Sequence, residues 1–132
     1  MSANTAVVNS AYKAFAAGDI PTVLSLLSDD VSWIAPRSLP QGGEFHGRDE
    51  VLSFFMGIGA AWSSLTLRVE SVGEVAPGSV VGIVRGVGEL SGGAPSGYGA
   101  VHVFTLRDGL VTALREYTDL ATPLVAHAAS RV

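Results

Sequence analysis

No cysteine occurs in the 132 residues, which excludes disulfides, thiolate-bound metals and a thiol nucleophile at once. Charge is also scarce: eight Lys+Arg and twelve Asp+Glu make up 15% of the chain and leave a net −4. The cations stand singly and form no stripe that would follow a phosphate backbone, so nucleic acid is not an expected partner. No apolar run approaches the ~18 residues that cross a bilayer. The opening MSANTAVVNSAYKAFAAGD has neither a basic stretch nor a long apolar core of the kind that directs secretion. These absences lead to the expectation of a soluble, cytoplasmic protein with no membrane partner. Repeats, linkers and low-complexity tracts are missing as well.

What the chain does have is apolar mass. Hydrophobic residues make up 48% of it, high for a soluble protein, and imply buried faces beyond those of a minimal monomer. An internal cavity, an oligomer, or both would supply them. The length suits one domain over 1–132, its core spanning about 4–125, with one pocket.

Val7, Val8, Ala11, Ala14 and Phe15 recur at helical spacing between Asn4 and Ala17, and Gly18 stops the run. Asp19 then caps a short helix with Pro21 in its first turn, running through Leu24, Leu26 and Leu27 and closed by Asp29 and Asp30. VSWIAP predicts a brief strand, and the Pro- and Gly-rich stretch 37–47 a loop. Val51, Leu52, Phe55 and Ile58 mark a third helix from Arg48 to about Trp62. Four strand-like segments follow, broken by APG at 76–78, SGGAPS at 91–96 and RDG at 107–109. The expected fold class is α+β, with three helices packed on one face of a strongly curved, mainly antiparallel sheet. Residues from about Ala121 form a short helix or a tail.

Two polar residues stand out in the apolar run GYGAVHVFTLRDGLVTALREYTD. Strand alternation puts His102 on a face with Tyr98, Ala100 and Phe104, and puts Glu116 on a face with Leu114 and Thr118. A tight turn at Arg107–Gly109 brings Phe104 opposite Leu114 and His102 opposite Glu116. On a helix-covered face, desolvation raises a carboxyl pKa while a neighbouring cation lowers it. An imidazole and a carboxylate so placed move protons on a bound substrate, an effect of roughly 10²–10⁴-fold in rate. The plainer alternative is a hydrogen-bonded core histidine and a solvated glutamate.

Tyr98 shares the His102 face and either donates its hydroxyl to a substrate oxygen or packs the rim. Trp33, Phe54, Phe55 and Trp62 wall a cavity or fill a core. His46 lies in a loop, and Glu44, Asp49 and Glu50 near it lack the spacing of a metal site. His127 belongs to the tail. Parity puts Tyr117 and Asp119 on the outer face, unless a bulge reverses it. Val101, Val103, Ala113 and Tyr117 would form an apolar outer patch, which marks an interface.

AGD before a short helix, DDVSWIAP, GRDEV, and RDGLVTALREYTD on the last strand together resemble the SnoaL-like branch of the nuclear transport factor 2-like superfamily, over roughly residues 4 to 125. The resemblance implies a cone-shaped α+β barrel with an apolar pocket at its open end, and a homodimer formed through the outer sheet face. Members include polyketide cyclases, ketosteroid isomerases, limonene epoxide hydrolases, dehydratases and pure binding domains, so the fold alone assigns no reaction. The isomerases' catalytic Asp falls at Ala35 and their helix-one Tyr at Ala11, beside Tyr12, so both isomerase groups are missing by that alignment. His102 falls on the acid of their oxyanion hole. The hydrolases' Trp-x-Asp corresponds to Leu114-Arg115-Glu116, whereas their first-strand Tyr and Asn correspond to Ser32 and Ile34, a poor match. In hydrolase-like members a charged cluster partners the last-strand acid, which makes Arg85 a candidate to orient Glu116. An exposed strand arginine is the alternative.

SnoaL-type cyclases match best, with a His on the penultimate strand and an acid on the last. The expectation is a cofactor-independent, metal-free acid–base enzyme acting on a hydrophobic oxygenated small molecule such as a polyketide-type intermediate. Glu116 and His102 are its candidate catalytic pair. Tyr98, Arg85, Trp33, Phe54, Phe55, Trp62 and Leu114 are its candidate substrate-binding residues. The alternative is a non-catalytic ligand-binding or dimeric interaction domain of the same fold.

Overall fold

The computed structural model describes residues 2–118; Asp119, His127 and the segment expected after Ala121 lie outside them. Helix α1 spans Ala3–Ala16, its first turn fixed by Ser2, whose side chain accepts from the Thr5 amide. Asp19 caps α2 (Ile20–Ser25) in the same way through Thr22. This helix ends before Asp29 and Asp30, which belong instead to strand β1 (Leu27–Ala35). Arg48 ties down the start of this strand. The Leu27 carbonyl accepts from Arg48 Nε at 3.0 Å and Nη2 at 2.6 Å, and Arg48 also pairs with Asp29 at 2.9 Å. Val31, Trp33 and Ala35 then alternate inward as a half-buried strand requires.

The stretch expected to be loop contains strand β2 (Gly43–His46), paired antiparallel with β1 from Ser32↔His46 to Ala35↔Gly43. Four residues are too few to show a period, but Phe45 anchors them edge-on against Phe54 at 5.4 Å. Helix α3 (Gly47–Ala61) follows, its first turn tied by Glu50, which accepts from the His46 amide at 2.9 Å. Strands β3 (Trp62–Ala76), β4 (Ser79–Leu90), β5 (Pro95–Arg107) and β6 (Leu110–Thr118) complete the described residues.

Among the described residues six strands form one open, mixed sheet in the order β2-β1-β6-β5-β4-β3. Every neighbouring pair is antiparallel except β1 and β6, which run parallel. Asp108 (φ 53) and Gly109 (φ 78) make the two-residue turn between β5 and β6. Two successive positive φ values match the right-handed strand twist and lock the register. Val8 of α1 and Val51 and Phe54 of α3 pack on Val31, Trp33, Val80, Phe104, Val111 and Leu114 of the sheet. Each aliphatic side chain fully buried there contributes about 1.5–3 kcal/mol. This single layer of helices covers the face that carries His102 and Glu116.

Candidate active site

Between α1, α3 and the covered face lies a cavity of about 60 Å³, lined among the described residues by fifteen side chains, almost all apolar, with Tyr12, Tyr98, His102 and Glu116 as the polar exceptions. The β5–β6 register sets His102 opposite Glu116 and Phe104 opposite Leu114. Nε2 of His102 lies 2.8 Å from Oε2 of Glu116, and both residues are at most 7% exposed. Nδ1 of the same ring lies 2.7 Å from the Tyr12 hydroxyl. The tyrosine ring stacks on the imidazole at 5.8 Å and 20° and meets Phe104 edge-on. Three polar groups thus form one chain inside an apolar shell.

For an ionised Glu116 and a neutral His102, hydrogen-bond capacity sets the directions in this chain. A carboxylate only accepts, so Nε2 carries the proton facing Glu116. A neutral imidazole then has only its Nδ1 lone pair left, and the Tyr12 hydroxyl donates to it. Burial, and then the negative charge of Glu116, push the Tyr12 phenol well above its ordinary value. The same two causes, in the same order, raise Tyr98 against an opposing hydrogen bond from Gln41. Both phenols therefore hold their protons at neutral pH.

Tyr98, Trp33, Phe54, Phe55 and Leu114 all line the cavity. Trp62 does not. It backs Tyr98 from behind, ring centres 6.0 Å apart, and donates its indole N–H to buried Gln41 at 3.0 Å. Arg85 is on the wrong face to orient Glu116: its side chain is 54% exposed and sits 3.7 Å from Glu70. The inward set of β4 is Val80, Gly82, Val84 and Gly86, which leaves the guanidinium in solvent, where its charge costs least. Among the described residues no lysine or arginine lines the cavity. His46, Glu44, Asp49 and Glu50 are exposed, and no group of three or more His, Asp or Glu among the described residues is placed to hold a metal ion. Tyr117 is 48% exposed on the outer face.

Tyr12 is the residue that alignment by AGD missed by one position. Ala11 does line the cavity, but the hydroxyl comes from its neighbour. The spacing Val8, Tyr12, Phe15 (i, i+4, i+7) is the sequence signal for an inward stripe. Gln41 gave no such signal, being a polar residue in a Pro- and Gly-rich turn.

A solved NTF2-like protein of unknown function from Burkholderia pseudomallei K96243 superimposes with a TM-score of 0.84 at 27% identity, over 92% of this chain and 94% of that one. RV0760c from Mycobacterium tuberculosis, solved in complex with estradiol-17β-hemisuccinate, gives 0.74 at 26% identity over 89% and 94%. A computationally designed 17-OHP binder gives 0.72 at 27% identity over 89% and 93%. No curated protein matches the chain. Among the described residues no helix is long and apolar enough to cross a membrane. The model of the SnoaL-like domain matches residues 8–114, and the chain belongs to that family.

Proposed function

We propose that this protein is a cofactor-independent acid–base enzyme acting on a hydrophobic oxygenated small molecule such as a polyketide-type intermediate. The reaction is of the cyclase, isomerase, dehydratase or epoxide-hydrolase kind, all of which need a positioned acid and base in a dry pocket. The observation that carries this reading is the buried Tyr12–His102–Glu116 chain opening on an apolar cavity.

Both imidazole nitrogens are engaged, so His102 works through its neighbours, and Tyr12 and Glu116 are the groups that meet substrate. The chain has two protonation states. With neutral His102, Tyr12 donates to Nδ1. With the imidazolium, Nδ1–H donates to Tyr12, whose own proton turns towards the cavity. Passing from the second state to the first delivers one proton through Tyr12 to a substrate oxygen. Glu116 takes a proton from a substrate carbon, hydroxyl or water using the oxygen that does not face His102. Tyr98 supplies a second donor for a developing oxyanion.

The second reading is a binding pocket without proton transfer, and the ligand held by RV0760c favours it. Glu116→Gln separates the two on a panel of planar polycyclic ketones and epoxides. Loss of turnover with binding retained supports the enzyme. Binding by both proteins, with no turnover by the parent on any member, supports the binding domain. We further propose that the outer sheet face, where Ile83, Val101 and Tyr117 form an exposed apolar row across paired strands, docks a second copy of the chain.

A further inference from the structure

Gly82 lies on β4 directly opposite His102 in the antiparallel register and is buried on the inward face. Its backbone does not demand glycine, for it is absent from the positive-φ positions. Glycine inside a strand weakens it, since it loses more conformational freedom on folding and packs no side chain. Something at this position therefore requires empty space. A Cβ built on Gly82 would stand 3.1 Å from Cζ and 3.2 Å from Cε2 of Tyr12, and closest of all to the hydroxyl oxygen. That oxygen is the atom bonded to Nδ1 of His102.

We propose that Gly82 is a positioning residue: its missing side chain is the seat that lets the Tyr12 hydroxyl reach His102. Tyr12 arrives on a helix that lies 90 positions away from His102 in sequence, and its ring is already bounded by the imidazole and by Phe104. A methyl group at position 82 removes the place where the oxygen sits and drives the phenol away from Nδ1. The seat belongs to the site whatever the site does, and its weight in proton transfer rests on the acid–base reading above.

The experiment is ¹⁵N NMR of histidine-labelled protein, with thermal melts, on the parent, Gly82→Ala, Tyr12→Phe and the double variant. Gly82→Ala is expected to move the His102 Nδ1 resonance to the position it takes in Tyr12→Phe, and the double variant to move it no further. The drop in Tm caused by Gly82→Ala is expected to be largely recovered in the double variant, because phenylalanine lacks the clashing oxygen. A parent-like Nδ1 resonance in Gly82→Ala, or fully additive losses in Tm, overturns the proposal. If Gly82→Ala alone does not fold, the double variant carries the test: a folded double variant supports the seat and an unfolded one overturns it. None of these readouts depends on turnover, so a failure of the enzyme reading leaves them interpretable. Turnover by Gly82→Ala equal to that of the parent, together with the expected Nδ1 shift, supports the seat and removes Tyr12 from the proton path.

Discussion

The hydroxyl of Tyr12 and Nδ1 of His102 are 2.7 Å apart, and this contact changes what the histidine can do. With Nε2 committed to Glu116 at 2.8 Å, the imidazole has no nitrogen left for a substrate. Acid and base character pass to the two ends of the chain, where a phenol and a carboxylate line the same cavity.

Two substitutions separate the chain's chemistry from its contribution to stability. Glu116→Gln keeps an acceptor for Nε2–H and is expected to cost no more than about 1.5 kcal/mol in urea unfolding, while lowering turnover roughly 10²–10⁴-fold. His102→Leu leaves a buried carboxylate and a buried hydroxyl without partners, and its expected cost is about 3–5 kcal/mol. A Glu116→Gln protein as destabilised as His102→Leu would mean that the carboxylate's charge, not its hydrogen bond, holds the pair.

Alkaline pH tests the phenols. Burial raises both Tyr12 and Tyr98 above the ordinary phenol value of 10.0, so the unfolded chain loses these protons first. Their contribution to stability is fully present below about pH 10, the unfolded value, and is lost as pH climbs towards the higher folded values. Denaturant midpoints are therefore expected to fall from about pH 10 upwards, and to fall less steeply in Tyr12→Phe and Tyr98→Phe. Equal slopes in all three proteins would contradict the burial of the two phenols.

The part of the site legible in sequence was the part fixed by a local turn. RDG dictates a two-residue hairpin, the hairpin sets the register, and the register alone puts His102 opposite Glu116. Arg85 was harder because SVVGIVRGVGEL is apolar on both faces and shows no alternation to tell in from out. Tyr12 was missed because one residue on a helix is a rotation of about 100°, and AGD lies across a turn from the positions it was used to align. β2 and Gln41 depend on tertiary partners, Phe54 and Trp62, that no local pattern announces.

Gly86 offers a contrast with Gly82. A Cβ there would lie 2.6 Å from both Cε1 and Cζ of Tyr98, so the clash is with the ring and not only with its oxygen. Gly86→Ala is expected to lower Tm by several degrees, and Tyr98→Phe is not expected to restore it. Recovery in that double variant would show that the Tyr98 ring moves more freely than its 3% exposure implies.

Ligand size tests the cavity. At about 60 Å³ it is far below the roughly 300–1,000 Å³ of pockets that hold drug-sized ligands, so polycyclic molecules must displace part of its wall. A second cavity of about 130 Å³ shares Tyr12, Phe15, Leu65 and Leu67 with it. Phe15→Ala removes the largest apolar member of that partition. Because Phe15 is only partly buried, the expected cost stays below the ~3–5 kcal/mol of a fully buried phenylalanine. Calorimetry should show tighter binding of polycyclic ketones to the variant, and weaker binding would place the entrance elsewhere.

The outer face makes the last prediction. Ile83, Val101 and Tyr117 are 42%, 37% and 48% exposed, and the pairings Ile83↔Val101 and Val101↔Tyr117 put them side by side across three strands. A contiguous apolar row is costly in water unless something covers it. A second copy presenting the same row would bury it symmetrically. Val101→Asp places a charge at the centre of the row, where solvent already reaches the side chain in a single copy. It is therefore expected to leave the fold and the His102 resonances intact while converting a dimer to a monomer in light scattering at micromolar concentration. A parent protein that scatters as a monomer removes the second copy as the occupant of this face, and the cavity chemistry would then have to operate within one chain alone.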